Sequence, residues 1–499
     1  MIFKYSIWSI LFLVIGLFIS ISCQKEVFNT DISSQPTFST DTVQFDTVFT
    51  TIGSATLIFK IYNPHKEFLK ISKAYIGNGL KSPFRMNIDG SPGQSLKDIE
   101  IRPHDSVYVF CEVTINPNDP LEVSPFIITD SIVFETNGAK QHVILEARGQ
   151  NANYFPEKLN KGQARIIDLQ GQTLVWDDPK PYIIYGIVYF DHGSLTIKAG
   201  TRIHVFGGIT KGSDSQGNTF FYNDGRIFIG SDANIQIEGT HEKPVIIQGV
   251  RLEPEYQEVS GQWSGIVIDK FSQGNTINYT TIKNNQIGLY VDSAAQCKIS
   301  NTIFANNSVG GLYGYAAEIT MNNSLFYNQG QASFSAINGG KYDFAYCTFA
   351  NLGNSYSGIV WSNFYCEDPI DCPHPYTFPL DAKMTNCIVT GSDDDELSLK
   401  PVADPTVRFN LIFDHCLLKI RKLTDQNQFP KFVQDYTQNC LISGSLDPLF
   451  IDISKDNYRL DTLSIADGKG IPINNIFNDL ENVLRDPGNP DLGCYERLK

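Results

Sequence analysis

Three features of this sequence predict an all-β chain in which a β-sandwich is followed by a right-handed parallel β-helix. A block repeats between Asn278 and Leu352, with third positions at Thr280, Thr302, Ser324 and Cys347, at steps of 22, 22 and 23 residues. Residues 38 to about 149 alternate apolar and polar side chains with period two, as half-buried strands do. The 499 residues hold 33 Phe and 23 Tyr against 4 Met, with 39 Gly and 24 Pro to supply turns. Such usage favours strands over helices.

The repeat sets the geometry of the second part. Two places after each third position stand Ile282, Phe304, Phe326 and Phe349, and two further on Asn284, Asn306, Asn328 and Asn351. Side chains two apart on a strand share a face. A fixed period built from short strands and turns means coils that stack on one another. Equivalent residues then lie about 4.8 Å apart along the axis. The spacing therefore predicts a stack of phenylalanines in the core. It also predicts an amide ladder at Asn284, Asn306, Asn328 and Asn351 that satisfies turn backbone. Gly265, Gly288 and Gly311, at steps of 23, form a second row, each followed by Ile or Leu. A leucine-rich repeat is the rival solenoid and needs a denser leucine pattern.

The net charge of -15 excludes a nucleic-acid role, which needs clustered Lys and Arg on phosphates. It also gives no long-range steering toward acidic polysaccharides. Lys4, the apolar run Ile7 to Ile21 and the polar turn at Gln24 read as a secretory signal. The run is short for a membrane span. With Ser22 before Cys23 the signal resembles that of bacterial lipoproteins, although Ser20 stands where Leu is usual. The resemblance implies a signal peptide at residues 1–22, lipidation of Cys23 and an outer-membrane protein facing the periplasm or the cell surface. Residues 23–37, rich in Ser, Thr, Asn and Gln, are expected to be a flexible tether.

From 38 to 150 the alternation of Leu57, Phe59 and Ile61, of Val107, Val109, Cys111, Val113 and Ile115, and of Val143, Leu145 and Ala147 marks strands. Asn137-Gly138 signals a hairpin. The segment resembles an immunoglobulin-like sandwich, without the paired cysteines of antibody domains. A polar hinge follows at Gln150 to Gly162, and the β-helix of roughly ten coils spans 164–446. Gly193–Gly200, Gly225–Asp232 and Pro244–Ile247 resemble the opening coils of right-handed parallel β-helix repeat proteins, which implies a pectate-lyase-like solenoid. The interval of 32 from Gly193 to Gly225 leaves a loop of about ten residues near Gly208 to Asn223. The sandwich and hinge are expected to cover the first coil. After Asn351 the repeat stretches, with Cys347 matched by Cys387, Cys416 and Cys440 at steps of 40, 29 and 24. Residues 447–499, with Tyr458, Asp467-Gly468, Arg485 and Asp491 to Glu496, resemble the terminal segment of β-helix proteins labelled choice-of-anchor. Ile465 and Cys494 depart from that pattern. The resemblance implies that this segment closes the solenoid.

Chemistry is harder to place. The fold carries lyases, hydrolases, esterases, adhesins and structural proteins alike. Neither the paired aspartates with Gly-His-Gly of its hydrolases nor the aspartates and Arg-rich strand of its calcium-dependent lyases occur as local runs. Asp191-His192 has a superficial likeness to a lyase motif. The stretch Asn354 to Leu380 offers Tyr356, Trp361, Phe364, Tyr365 and Tyr376 as ligand-binding rings, since aromatic side chains stack on sugars and anchor interfaces. The alternative is that they pack as a local core. Cys366 and Cys372 are candidates for a disulfide in an oxidising compartment. Asp393, Asp394, Asp395 and Glu396 could hold calcium, the one cofactor suggested, or form a solvated turn. Cys347, Cys387, Cys416 and Cys440 read as small inward residues rather than zinc ligands. The expected function is a non-catalytic module that binds a polysaccharide or an envelope protein. A lyase or hydrolase on the same scaffold and a structural subunit of an envelope complex are the alternatives.

Overall fold

The computed structural model describes residues 27–49, 52–115, 126–156, 163–213, 217–353, 356–367, 372–425, 429–443 and 448–497. The signal, Cys23 and Asp447 lie outside the described residues. The chain divides into two compact units, residues 1–151 and 152–499. Among the described residues no helix is long and apolar enough to cross a membrane.

The first unit is a sandwich of two five-stranded sheets. Phe59, Ile61, Val109 and Cys111 from one sheet meet Ile71, Phe134, Val143 and Leu145 from the other in a single core. Alternation supplies that core, because each strand sends every second side chain inward. Asn137 and Gly138 both have positive φ and join strands Phe126–Thr136 and Ala139–Gln150, as a primed two-residue turn requires. The expected tether is shorter than residues 23–37. Phe28 bridges to Phe68 and packs on its ring at 5.6 Å, and Thr37–Phe38 pairs with Ile61 and Tyr62. An apolar ring that finds an apolar partner here is not left in solvent.

The second unit is a parallel β-helix. Each regular coil contributes three strands, as in Ile187–Asp191, Gly193–Lys198 and Arg202–Phe206. We call the faces they build I, II and III. Face III is an eleven-stranded sheet, while faces I and II share one seventeen-stranded sheet because strands Gly310–Asn322 and Ala332–Ala345 run round the corner between them. The interior holds the predicted phenylalanine stack: the ring centre of Phe304 lies 4.6 Å from that of Phe326, and that of Phe326 4.9 Å from that of Phe349, with the planes nearly parallel. The glycine row serves this stack. A Cβ on Gly288 would sit 2.9 Å from the Phe304 ring, and one on Gly311 2.5 Å from the Phe326 ring.

The amide ladder differs from the expected one. Asn284, Asn306 and Asn328 occupy left-handed turn positions, and of these Asn328 donates to Asn306 at 3.0 Å while Asn284 serves the carbonyls of Gln257 and Val259. The fully buried ladder is one residue later, where Asn285 N–H donates to Asn307 and Asn307 donates to Gln329. A turn reverses the strand alternation, so the residue after the bend also points inward.

The cysteine positions continue the Thr/Ser positions. Thr280, Thr302 and Ser324 each donate to the carbonyl two residues earlier, and Cys347, Cys387, Cys416 and Cys440 do the same through sulfur. Each sulfur from Cys387 on also accepts the backbone N–H of the stacked cysteine one coil before. The thiols are thus small corner donors, and burial pushes those of Cys387 and Cys416 well up.

Both ends of the cylinder are capped within this unit. Asn153–Phe155, assigned to the hinge, already pairs with Tyr182–Ile184, and Phe155 and Tyr182 close over Trp176. At the other end Leu423 and Phe432, with Phe429 and Tyr436, cover the last coils. The final segment therefore does not close the solenoid. It runs back along the outside of face III, where Tyr458, Leu480, Cys494 and Tyr495 cover Leu325 and Ala350, and Leu460, Ala466 and Leu492 cover Ile388 and Leu417. An apolar outer face explains this course, because the segment removes that face from water.

Candidate functional site

The three outer faces differ in chemistry. Face III is covered by the C-terminal segment around Leu325, Ala350, Ile388 and Leu417. Face II is charged and solvated, with inter-coil ion pairs Lys198–Glu238, Lys341–Glu318 and Lys383–Asp414. Face I is half-exposed and aromatic.

Register lines up an outward row of four rings, interrupted once by Val267. Tyr189 stands opposite Phe228, Phe228 opposite Val267, Val267 opposite Tyr290, and Tyr290 opposite Tyr313. Tyr189 and Phe228 stack at 5.8 Å. A shallow hollow of about 240 Å³ lies between Arg226, Phe228, Val267 and Tyr290, and the Arg226 guanidinium sits 5.6 Å above the Phe228 ring. Burial lowers the pKa of that guanidinium, which nonetheless stays charged at neutral pH.

Two residues further along each strand runs a second row. Asp191, Gly230, Asp269, Asp292 and Tyr315 follow Phe190, Ile229, Ile268, Val291 and Gly314, whose pairing is continuous. The glycine in this row has a reason. A Cβ on Gly230 would meet Tyr189 Oη at 2.9 Å and Asp191 Oδ1 at 2.7 Å. The Tyr189 ring lies across that gap and its hydroxyl donates to Asp269 Oδ2 at 3.1 Å, two coils away. Burial, reinforced by this hydrogen bond, pushes the Tyr189 phenol up to about 12. At the start of the row His192 faces Asp168 and Asp191 through Nδ1 at 3.4 and 3.6 Å and Asp232 through Nε2 at 4.0 Å.

Two inserted hairpins flank the face. One, Ile209–Ser213 with Thr219–Asn223, fills the loop predicted near Gly208 to Asn223 and ends beside Asp224, which accepts from Gly208 N–H and Thr210 Oγ1. The other pairs Phe364–Tyr365 with Tyr376–Thr377 and carries the Cys366–Cys372 disulfide, with Cα atoms 5.6 Å apart. Tyr365 meets Tyr315 edge to face at 5.6 Å.

The predicted aromatic set is thus divided. Tyr365 and Tyr376 are exposed on the second hairpin, with Phe364 partly buried beside them. Tyr356 is exposed on the turn before strand Ile359–Ser362, away from that pairing. Trp361 is no ligand-binding ring: it is fully buried, 5.1 Å from Phe334 and 5.7 Å from Tyr342. Ile359–Ser362 is a regular face I strand inside the supposed insertion, so Ile359 and Trp361 alternate into the core.

The acidic cluster does not form a calcium site. Asp394 pairs with Arg421 and Lys422, Asp395 accepts from the N–H groups of Arg421 and Leu423, and Glu396 turns inward to accept from Gly358 and Asp393 N–H. The carboxylates diverge, and among the described residues no group of three or more His, Cys, Asp or Glu side chains is placed to hold a metal. Glu396 is fully buried, which raises its carboxyl to about 7.

A family model described as a right-handed beta helix region matches residues 184–351. No curated protein matches the chain. Among solved structures, the PapD-like domain 7 of human CEP192 is 11% identical over 27% of this chain and 97% of its own, with a TM-score of 0.17. The catalytic unit of a thermostable GH87 alpha-1,3-glucanase from Streptomyces thermodiastaticus strain HF3-3 is 9% identical over 72% of each chain, with a TM-score of 0.22. A family 123 glycoside hydrolase from Clostridium perfringens is 9% identical over 29% of this chain and 30% of its own, with a TM-score of 0.17.

Chemically, face I offers ring faces for stacking, a fixed cation and a line of carboxylates that accept hydroxyl hydrogens. Sequence reading missed it. The signal was present in the glycine row: Val267, Tyr290 and Tyr313 each stand two residues after Gly265, Gly288 and Gly311.

Proposed function

We infer that this chain is a lipid-anchored envelope protein whose β-helix binds a glycan along face I, without turning it over. The observation that carries this reading is the row Tyr189, Phe228, Tyr290 and Tyr313 beside Asp191, Asp269 and Asp292. Stacked coils repeat these groups about every 4.8 Å, so one polymer strand can meet several in succession. Rings supply apolar area, with about 0.5–1.5 kcal/mol beyond burial for each stacked pair. Carboxylates supply acceptors for sugar hydroxyls. The lipid anchor rests on the Ser22-Cys23 context.

A polysaccharide panel tests this. The chain from Cys23 on, with Cys23→Ser, is expected to be retained on at least one polymer and to release no reducing ends or unsaturated sugars. Tyr290→Ala combined with Tyr313→Ala should weaken retention at least tenfold. Retention that survives this pair but is lost with Tyr365→Ala and Tyr376→Ala would move the site to the second hairpin. A second reading is a glycoside hydrolase, favoured by Asp269 and Asp292 on adjacent coils, since such hydrolysis uses a pair of carboxylates. New reducing ends that vanish in Asp269→Asn or Asp292→Asn would replace the binding reading with this one.

A further inference from the structure

Where the C-terminal segment crosses the outside of face III it leaves a cavity of about 410 Å³. The size lies within the range of small-molecule sites, which are mostly apolar with a few convergent polar groups. Leu352, Leu417, Leu449, Phe450, Ile453 and Ile465 line it. Among these walls stands one ammonium. Lys419 is buried, and its Nζ donates to Gly391 O at 2.6 Å. An ammonium has three donors, and among the described residues no carboxylate comes within ion-pair distance of this one. The carboxylate on the opposite rim is already engaged, because Asp452 pairs with Lys455 and accepts from Ser454. Asp394 and Glu396 act on the Lys419 charge only from beyond ion-pair distance, so among the described residues two of its three donors are left for a ligand.

We propose that this cavity binds a single-chain carboxylate amphiphile, a free medium-chain fatty acid, with its hydrocarbon between Leu417, Phe450 and Ile465 and its carboxylate on Lys419. The site is independent of face I. Leu417 and Ile465 also belong to the apolar contact between segment and coils, so the ligand completes a layer that the chain builds incompletely. The buried Glu396, whose backbone N–H donates to Lys419 O, binds its proton more tightly than an exposed Glu and so opposes the charge of Lys419 only in part near neutral pH.

Calorimetry of decanoate, decanol and decyltrimethylammonium against the chain from Cys23 on, with Cys23→Ser, tests the assignment without detergent or acyl group. Saturable one-to-one binding of decanoate is expected, weakened at least tenfold by Lys419→Met, with decanol unaffected by that change and the cation excluded. Ile465→Trp and Leu449→Trp each fill the cavity, and whichever melts like the parent should abolish uptake. No saturable binding of decanoate, equal binding by Lys419→Met, uptake retained in a folded tryptophan variant, or binding of the cation would each overturn the proposal.

Discussion

Arg485 is the position at which the C-terminal segment is fastened to the coils. Its guanidinium is almost wholly buried. Nη2 donates to Asn323 Oδ1 at 2.9 Å and Gly493 O at 3.0 Å, Nη1 reaches Glu496 Oε2 at 3.4 Å, and the plane lies 3.8 Å over the Tyr346 ring. Asn323 is itself a turn residue of the solenoid, bonded to Asn301 and to Asn478 O of the segment. Arg485→Ala therefore removes the guanidinium donor from Asn323 Oδ1 and Gly493 O together, and leaves the Glu496 carboxylate, still held by the N–H groups of Asp486 and Asp491, without its cation. Removing one partner of a buried, hydrogen-bonded charge pair costs about 3–5 kcal/mol, and the cation–π contact adds about 1–2 kcal/mol where it is desolvated. We expect the loss to fall on the segment first, since the stacked coils keep their own core. Urea unfolding followed by hydrogen exchange should show residues 448–497 losing protection before the coils and an apolar dye binding to the uncovered face. Arg485→Lys keeps the charge but not the planar fork, and should give an intermediate loss. An unfolding free energy within about 0.5 kcal/mol of the parent, with protection of 448–497 unchanged, would refute the clamp.

Glu396 makes stability depend on pH in an unusual direction. Its folded pKa of about 7 lies above the ordinary 4.5, so the folded chain holds the proton more tightly. That contribution, at most about 3 kcal/mol, is complete below about pH 4.5 and is lost as pH rises through about 7. Subtracting the unfolding free energies of Glu396→Gln from the parent between those values should recover the slope, and a flat difference would count against it. Cys387→Ser should be tolerated, because a hydroxyl repeats both bonds of the thiol, whereas Cys387→Val removes the acceptor of Cys347 N–H, while Thr385 O keeps the N–H of Tyr346, and costs about 1–3 kcal/mol by thermal unfolding. Native Cys347, Cys387 and Cys416, all fully buried, should resist alkylation that labels them in urea. Gly230→Ala should cost about 1–3 kcal/mol by overpacking, and Tyr189→Ala in the same chain should remove the part due to the ring in a double-mutant cycle, with the Asp191 contact remaining.

The solenoid was legible because a coil is a local object. Thr280, Ile282 and their copies recur at a constant interval, and the same interval fixes which side chains stack. The inserted hairpin after Phe206 was visible as an interval ten residues too long. What failed was phase. Asn285 lies inside although Asn284 does too, because the left-handed turn at Asn284 interrupts the period of two, and the sequence does not mark where alternation restarts. Trp361 was misplaced for a related reason, since a strand hidden between two insertions looks like part of a loop. The course of the last fifty residues was invisible on other grounds. Leu325, Ile388 and Leu417 sit outside the coils, yet each alternates with an inward residue that is equally apolar, so the strands read as buried on both faces. Their cover comes from residues far along the chain.

The division of labour among the faces follows from what each exposes. A parallel coil must dispose of three outer surfaces, and apolar surface left in water is the least stable choice. Face III meets this by taking up the chain's own end, and face II by alternating charges of opposite sign on successive coils, as between Glu318 and Lys341. Neither solution applies to face I, where Tyr189, Phe228, Tyr290 and Tyr313 stay half-exposed in register and where glycines at 230 and 310 make room for their rings. Rings are not required there to hold the coil, because the core beneath is complete without them. Isolated exposed aromatics are ordinary, but four of them in one register row, broken only at Val267 and running beside carboxylates, are surface kept for something that lies along it. An extended polymer fits that description better than a compact partner, since the pattern is one group wide and several coils long.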